Sequence, residues 1–482
     1  MTSTLDLTNT MASALLDNAT LTAVQRITGQ APTRSRDAVD VDLVAFENYV
    51  QARLFYDDLV VIDDYLPQHR EVRRAAFPHL SYVNPEEFKL QEISDAANAA
   101  SDKIHPKIQG GNFANPEFKA LFELLQTHMV CTWDIASSVY HLNLKVLASR
   151  GSDEFQKYGA VATAMFQELT DAHSTGTRIR NKVELVDRFG KPITEGYTVP
   201  DAKWGSGESG SPSGAIQAFT ASLVWVANRA MYYTLAAAHL KADAFLYPIR
   251  QAYQQHYLAQ SFNYDANFPR RVVSQLSATL ARDVAEVHNG GLLSAGAIDL
   301  PVFSAWLANT CGDPLAALHA IEDIRLQKEF VEAREQVSEL REIYNDGSLI
   351  DANKKVAKIS SRISKVSSGM REKYSIKTAQ GVPLTRLVNV YNAFAVLKGL
   401  PPLPKIDATI KIPQFLRDMK REVGFAAVYR NVMNDLATFG TLGQVRDILG
   451  RRVEVDTNAI TYSPKPEDPK FRHAHSPFKS PM

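Results

Sequence analysis

Apolar positions along this chain recur mostly at helical spacing. Leu43, Phe46, Val50 and Leu54 fall three or four residues apart and predict a helix from near Asp42. Ahead of it lies a loose arm with one short helix over Leu5 to Leu16. The run Leu59-Val60-Val61-Ile62 is β-branched, short and bracketed by acidic pairs; it reads as a short strand or as the end of the preceding helix. Asn84-Pro85-Glu86-Glu87 is a helix start: Asn caps, Pro takes the first turn and the glutamates face the dipole. Asn115-Pro116-Glu117 repeats it before a helix expected to reach Ser149, and another is expected from Asp153 to Lys182.

The period then changes. Val183 to Asp187, a Phe-Gly turn and Pro192 to Val199 alternate as a β-hairpin does. Gly205 to Gly214 is a Gly/Ser loop. Helices are expected again from Ser213, over Leu240 to Gln260 and over Phe268 to Val287, and the last set spans Ile412 to Leu449.

The most regular pattern lies between Leu315 and Met370. Leu326, Phe330, Ala333, Val337, Leu340 and Tyr344 alternate spacings of four and three. Leu349, Ala352, Val356, Ile359, Ile363, Val366 and Met370 do the same after the turn Asn345-Asp346-Gly347-Ser348. Two heptad seams joined by a short turn predict an antiparallel, coiled-coil-like helical hairpin. Its first arm is acidic (Glu322, Asp323, Glu329, Glu332, Glu335, Glu339, Glu342) and its second is basic (Lys354, Lys355, Lys358, Arg362, Lys365, Arg371, Lys373). The plainer alternative is two core helices packed on the body.

These elements together predict a mostly α protein. A flexible N-terminal arm (1–40) precedes an irregular multi-helix body (41–300) carrying a small β-hairpin near 183–199. A long antiparallel α-hairpin (301–375), a basic helical region (376–455) and a polar, Pro- and Lys-rich disordered tail (456–482) follow.

Composition narrows the picture. The 482 residues carry no formal net charge, so no global field selects nucleic acid or membrane. Charge is split, however. Residues 354–421 hold fifteen Lys/Arg against three Asp/Glu, and residues 1–120 hold eleven against seventeen. Opposite ends of this kind favour head-to-tail pairing of copies, or phosphate tracking by the basic end. Cys131 and Cys311, the two cysteines, read as free thiols of a reducing cytoplasm. The N-terminus lacks the pattern of a secretory signal. The apolar run Ala215 to Leu240 carries Gln217, Asn228, Arg229 and His239, which suits a buried helix and not a membrane span.

Candidate chemistry is sparse. Asp57, Asp58 and Asp63 have a spacing that on a helix can hold Mg²⁺ against diphosphate, as in isoprenyl synthases. The second acidic motif such a site needs is reduced to Asn434-Asp435. His128, Asp134 and His141 fall on one face of the helix expected there. A Trp-Asp step with an upstream His resembles, over this short stretch, helices of haem-oxygenase-like all-α oxidases, which implies haem or non-haem iron. Polar caps and core histidines are the structural alternatives. Gly205-Ser-Gly207-Glu-Ser-Gly210 matches a dinucleotide fingerprint literally but follows no apolar strand. Asp171-Ala-His173-Ser174 has no nucleophile elbow, and His473-Ala-His475 lies in the tail.

Three functions follow as expectations. The first is a non-catalytic assembly or interaction protein that self-associates or binds a protein partner through Leu326, Phe330, Val337, Leu340, Val356, Ile359, Ile363 and Val366. The second is an all-α oxidative enzyme using haem or iron. The third is nucleic-acid binding through 354–421.

Overall fold

The computed structural model describes residues 13–33, 38–88, 90–101, 107–109, 112–114, 119, 127–134, 139–146, 153–177, 184–186, 189, 191, 212–240, 242–254, 299–300, 303–345, 382–383 and 443–456. Its centre is a parallel sheet, which replaces the mostly α body expected from the sequence. Strand β1 (Ser13–Leu16) pairs on one side with β2 (Asp58–Ile62), and β2 pairs with β3 (Ser81–Val83). On its other side β1 pairs with β9 (Asp243–Phe245), more than two hundred residues downstream. The order is therefore β3-β2-β1-β9, all parallel, with helices between successive strands. That is an α/β arrangement.

Residues 13–16, expected within a helix of a loose arm, form the central strand. All three of Ala14, Leu15 and Leu16 are fully buried. A strand covered on both faces reads as a continuous apolar run, so it lacks the alternation that marks a half-exposed strand. Helix α1 (Asn18–Ile27) follows, with the Asp17 side chain accepting from Thr20 N at its start. Helix α2 (Val39–Phe55) is buried on every side. It forms the hub of the fold: its polar residues Asp42, Glu47, Asn48, Gln51 and Arg53 are also buried, and each is paired inside.

Helix α3 (Pro67–Ala76) links β2 to β3, and α4 (Leu90–Ser101) follows. A small sheet joins β4 (Lys107–Gln109) to β5 (Asn112–Phe113) and, in parallel, to β8 (Glu184–Val186). The strand expected near 183–187 is present, but its partner is β4; the second half of the expected hairpin lies outside the described residues. The long helix expected to reach Ser149 is replaced over 127–134 and 139–146 by two antiparallel strands, β6 (Thr127–Asp134) and β7 (Val139–Val146). Val130, Thr132, Trp133, Val139 and Tyr140 are β-formers, and here their preference outweighs the apparent helical period.

Helices α5 (Asp153–Ser174) and α6 (Pro212–His239) cover the sheet, and a further helix starts at Pro248. After β10 (Asp299–Leu300) come α7 (Phe303–Cys311), α8 (Pro314–Ile324) and α9 (Lys328–Asn345). The expected antiparallel α-hairpin is corrected here. Its first seam is broken at 325–327, where Leu326 lies 70% exposed between α8 and α9. Phe330, Ala333 and Val337 are buried against the body: the rings of Phe330, Phe55 and Phe303 form a triangle with centroid separations of 5.6 to 6.1 Å. The seam thus serves α2 and α7. The second arm lies outside the described residues.

Strand β11 (Val382–Pro383) pairs with β10, and α10 (Gly443–Leu449) starts a C-terminal strap. Thr33 N donates to Glu454 O and Asp456 N to Thr33 O, at 2.7 and 2.8 Å. Gly29, at φ 75°, closes α1, and a Cβ there would stand 3.0 Å from the Arg452 carbonyl oxygen of the strap. Among the described residues no helix is long and apolar enough to cross a membrane.

Candidate functional site

The chain runs from β1 outward through β2 and β3, then returns to place β9 on the opposite flank of β1. The strand order therefore switches direction between β1 and β9. In open α/β sheets, ligands bind outside the carboxyl ends of the strands at such a switch. Here that edge carries Asp17 directly after β1, Asp63 and Asp64 after β2, and Tyr247 just past β9. Each ends a short apolar run.

The edge is filled by a buried network centred on Arg250, which is fully enclosed. Pro248 starts its helix, so Arg250 lies in the first turn and reaches back under the sheet. Its Nη1 stands 3.2 Å from Asp17 Oδ2. Its Nη2 donates to Glu168 Oε2 and Asp171 Oδ2, each at 2.6 Å, and its Nε donates to both Glu168 oxygens at 3.0 and 2.9 Å. Glu168 and Asp171 are three apart on α5 and so share a face. Asp17 also accepts from the backbone of Thr20 and Tyr247.

A second guanidinium continues the network. Arg229, from within α6, donates to Asp64 at 2.5 Å and to the Tyr233 hydroxyl at 3.0 Å. Its Nε has no hydrogen-bond acceptor and faces Asp171 at 3.9 Å. The rings of Trp225, Tyr232 and Tyr233 surround it at 4.7 to 5.3 Å. Asp171 further accepts from Trp225 Nε1 at 3.2 Å and from the Tyr65 hydroxyl. Asn18 donates to Ile62 O and Asp64, and its own carbonyl accepts from Arg73 at 2.6 Å.

Four carboxylates (Asp17, Asp64, Glu168, Asp171) thus meet two guanidinium groups, Arg229 and Arg250. Burial works against the charged form of Glu168 and of Asp171. Glu168 is pushed up to about 7 by burial, against Arg250, with Asp171 and Asp17 adding to the rise. Asp171 moves the other way: burial opposes its ionisation, but Arg250 and Arg229 hold it below the usual carboxylate range.

The residues singled out from sequence lie elsewhere. Asp57 pairs with Arg334 at 3.1 Å, and Asp58 accepts from Ser81 Oγ at 2.8 Å. Asp63 sits past the other end of β2, paired with Arg74 and with Arg70 at 3.6 Å. The strand between them keeps Asp58 and Asp63 apart, and among the described residues no group of three or more His, Cys, Asp or Glu is arranged to hold a metal ion. His128 and Asp134 lie on β6, opposite Lys145 and Val139; His141 lies on β7, opposite Thr132. At strand rise, positions 128 and 132 are on the order of 13 Å apart. The helical face that was to unite the three does not form. Phe330 and Val337 are in the core, Leu326 is exposed, and Leu340 continues α9. Val356, Ile359, Ile363 and Val366, the fingerprint at Gly205, Asp435 and His473 to His475 lie outside the described residues, as does the basic stretch 354–421 except at β11.

The residues that do converge share no motif in the sequence. In the sequence Asp171 stands beside His173 and Ser174, and Arg229 is a polar position in an apolar run. The available signal was that combination: charged residues at the centre of apolar helices, beside acids that end apolar β-type runs.

The outer face of α9 differs from this edge. A groove of about 370 Å³ runs along it, lined by Asp57, Val331, Arg334, Glu335, Ser338 and Glu339. Glu332, Glu335 and Glu339 are exposed there. Comparison with protein-family models, with curated proteins and with solved structures gives no match.

Proposed function

We propose that this chain is a non-catalytic interaction protein that self-associates, or binds a basic protein partner, through the acidic outer face of α9. The observation that carries the reading is the groove on that face, with Glu332, Glu335 and Glu339 pointing to solvent while Phe330, Ala333 and Val337 anchor the same helix to the core. A rigidly seated helix offers its charges at fixed spacing. The chain's own stretch 354–421, with fifteen Lys/Arg and three Asp/Glu, supplies a complementary partner in a second copy. The sealed sheet edge supports the same reading, because Arg250 and the Tyr and Trp rings occupy the place where an α/β enzyme admits its ligand. A reducing cytoplasmic setting fits the two cysteines.

Light scattering on the full chain in low and high salt tests this. A mass above one chain at low salt, falling at high salt and lost in Glu332→Lys/Glu335→Lys/Glu339→Lys, is expected. A monomer under all conditions that also captures no basic peptide overturns it.

One observation favours a second reading, catalysis at the sheet edge: Glu168 titrates near neutrality beside three further carboxylates at the switch point. It requires Arg250 to swing out. Under it, a carbodiimide modifies the Glu168 carboxyl of the folded wild type near neutral pH; no modification there discards it.

A further inference from the structure

Helix α5 is tied to the sheet by an arrangement whose charges do not balance. Around Arg250 stand Asp17 from the end of β1 and Glu168 and Asp171 from α5. Arg229 from α6 adds one cation to Asp171 at 3.9 Å, but it already pairs with Asp64. The other groups facing the cluster, Arg73 apart, are neutral donors or are paired elsewhere. Tyr65 and Trp225 donate to Asp171. Arg73 bonds only the neutral Asn18 and Thr22 and lies over the Tyr65 ring at 4.8 Å, so three guanidinium groups stand against Asp17, Asp64, Glu168 and Asp171 and one negative charge is in excess; Arg26 from α1 is taken by Asp42 of α2. Tyr247 bonds Asp42 and Gln167.

A buried excess of negative charge is expensive, and binding a proton relieves it. The hydrogen bonds say where. Both oxygens of Asp17 accept backbone N–H groups, and Asp171 Oδ2 takes Arg250 and Trp225. Glu168 Oε2 takes two Arg250 bonds. Glu168 Oε1 receives only a share of the Nε–H bond, so a proton there displaces least.

We propose that the junction of α5 with the carboxyl edge of the sheet is a proton-locked latch: one proton held on Glu168 behind Arg250 keeps α5 docked, and its loss frees the helix. Deprotonation leaves Asp17, Glu168 and Asp171 charged around one guanidinium, and mutual repulsion favours opening. Once open, Glu168 meets water and returns to the ordinary carboxylate range. Opening of α5 is therefore the step that releases the proton, and it uncovers the switch point.

Hydrogen exchange of α5 amides in the full chain tests the latch. After correction for intrinsic exchange, the opening constant of the wild type should rise about tenfold per pH unit between the ordinary carboxylate range and neutrality, then level off. Glu168→Gln, which mimics the protonated form, should remove that slope. A flat wild-type profile, or an equal slope in Glu168→Gln, overturns the proposal. If that variant does not fold, infrared spectra decide, with Glu47→Gln and Asp42→Asn assigning the bands of the two other carboxyls that burial raises. A protonated-carboxyl band below neutral pH that fades as pH rises through about 7 supports the latch, and its absence overturns it.

Discussion

The ring of Phe330 on α9 meets the ring of Phe55 on α2 edge-on, with centroids 6.1 Å apart. This contact decides what the heptad-like seam is for. A residue at a seam position of a projecting hairpin would be buried only by its facing arm. Phe330 is fully buried against Phe303 and against Phe55, the latter more than two hundred positions earlier in the chain.

Phe330→Ala should therefore destabilise the whole protein, by about 3–5 kcal/mol for loss of a buried aromatic ring. Urea unfolding followed by both far-ultraviolet circular dichroism and tryptophan fluorescence measures it. Leu326→Ala, at a seam position left exposed, should change stability by less than about 0.5 kcal/mol. Equal costs for the two would contradict the packing described.

Arg250→Ala leaves Asp17, Glu168 and Asp171 without their shared cation inside the protein. Breaking a buried ion-pair network from one side costs about 3–5 kcal/mol. Arg250→Lys should recover only part of this. Lysine keeps the charge, but it cannot reproduce the planar fork that meets Glu168 through Nε and Nη2 at once. The order wild type, Lys, Ala in thermal midpoint is the expected result.

Why part of this was legible and part was not follows from the same residues. Leu59 to Ile62 could be read as a strand because β-branched residues and acidic brackets are local signals. Ser13 to Leu16 could not, since its identity as the central strand depends on β9 and on burial from both faces. Helix α2 was read as amphipathic from Leu43, Phe46, Val50 and Leu54. The same helix carries Asp42, Glu47 and Arg53, and each finds a partner inside: Arg26, the start of α7, and Glu322. Residue types alone do not tell a solvated charge from a paired buried one. The network at the sheet edge was invisible for this reason: Asp17, Glu168, Asp171, Arg229 and Arg250 come from four separate segments.

Glu47 shows how such a buried acid can serve structure without a cation. Its carboxylate accepts from Phe303 N at 3.1 Å, Ser304 N at 2.7 Å and Gln51 Nε2 at 2.8 Å. It therefore caps the first turn of α7 from a different helix. Burial pushes its carboxyl up, with the hydrogen bonds opposing. Glu47→Ala should cost about 2 kcal/mol or more, because it leaves buried N–H groups unsatisfied. Glu47→Gln, which keeps an acceptor oxygen, should cost less than half of that. Chemical denaturation of both variants checks the ratio.

His79 supplies a pH dependence of opposite sign to that of Glu168. Its Nε2 bonds the Tyr49 hydroxyl at 2.7 Å and lies 3.8 Å from Glu322 Oε1, against the ring of Phe77. Burial, and then the Arg53 charge, lower it to about 4, with Glu322 opposing and Arg325 adding to the fall. In the unfolded chain a histidine binds its proton at about 6.5. Between those values the unfolded state holds more protons, so stability is gained as pH rises and lost as pH falls through the window. For Glu168, raised to about 7 in the folded protein, the folded state holds more protons. Its stabilisation is full below the ordinary carboxylate range and fades as pH rises toward about 7. The two windows overlap, and the contributions oppose each other. Between about pH 4.5 and about pH 6.5 the slopes of the variants relative to the wild type isolate the two groups, because the raised carboxyls of Glu47 and Asp42 add to the wild-type slope with the sign of Glu168. Relative to the wild type over that interval, His79→Gln should lose stability with rising pH, and Glu168→Gln should gain it. Urea midpoints measured across the interval for the three proteins read the slopes directly. Parallel curves would show that neither group titrates as its surroundings require.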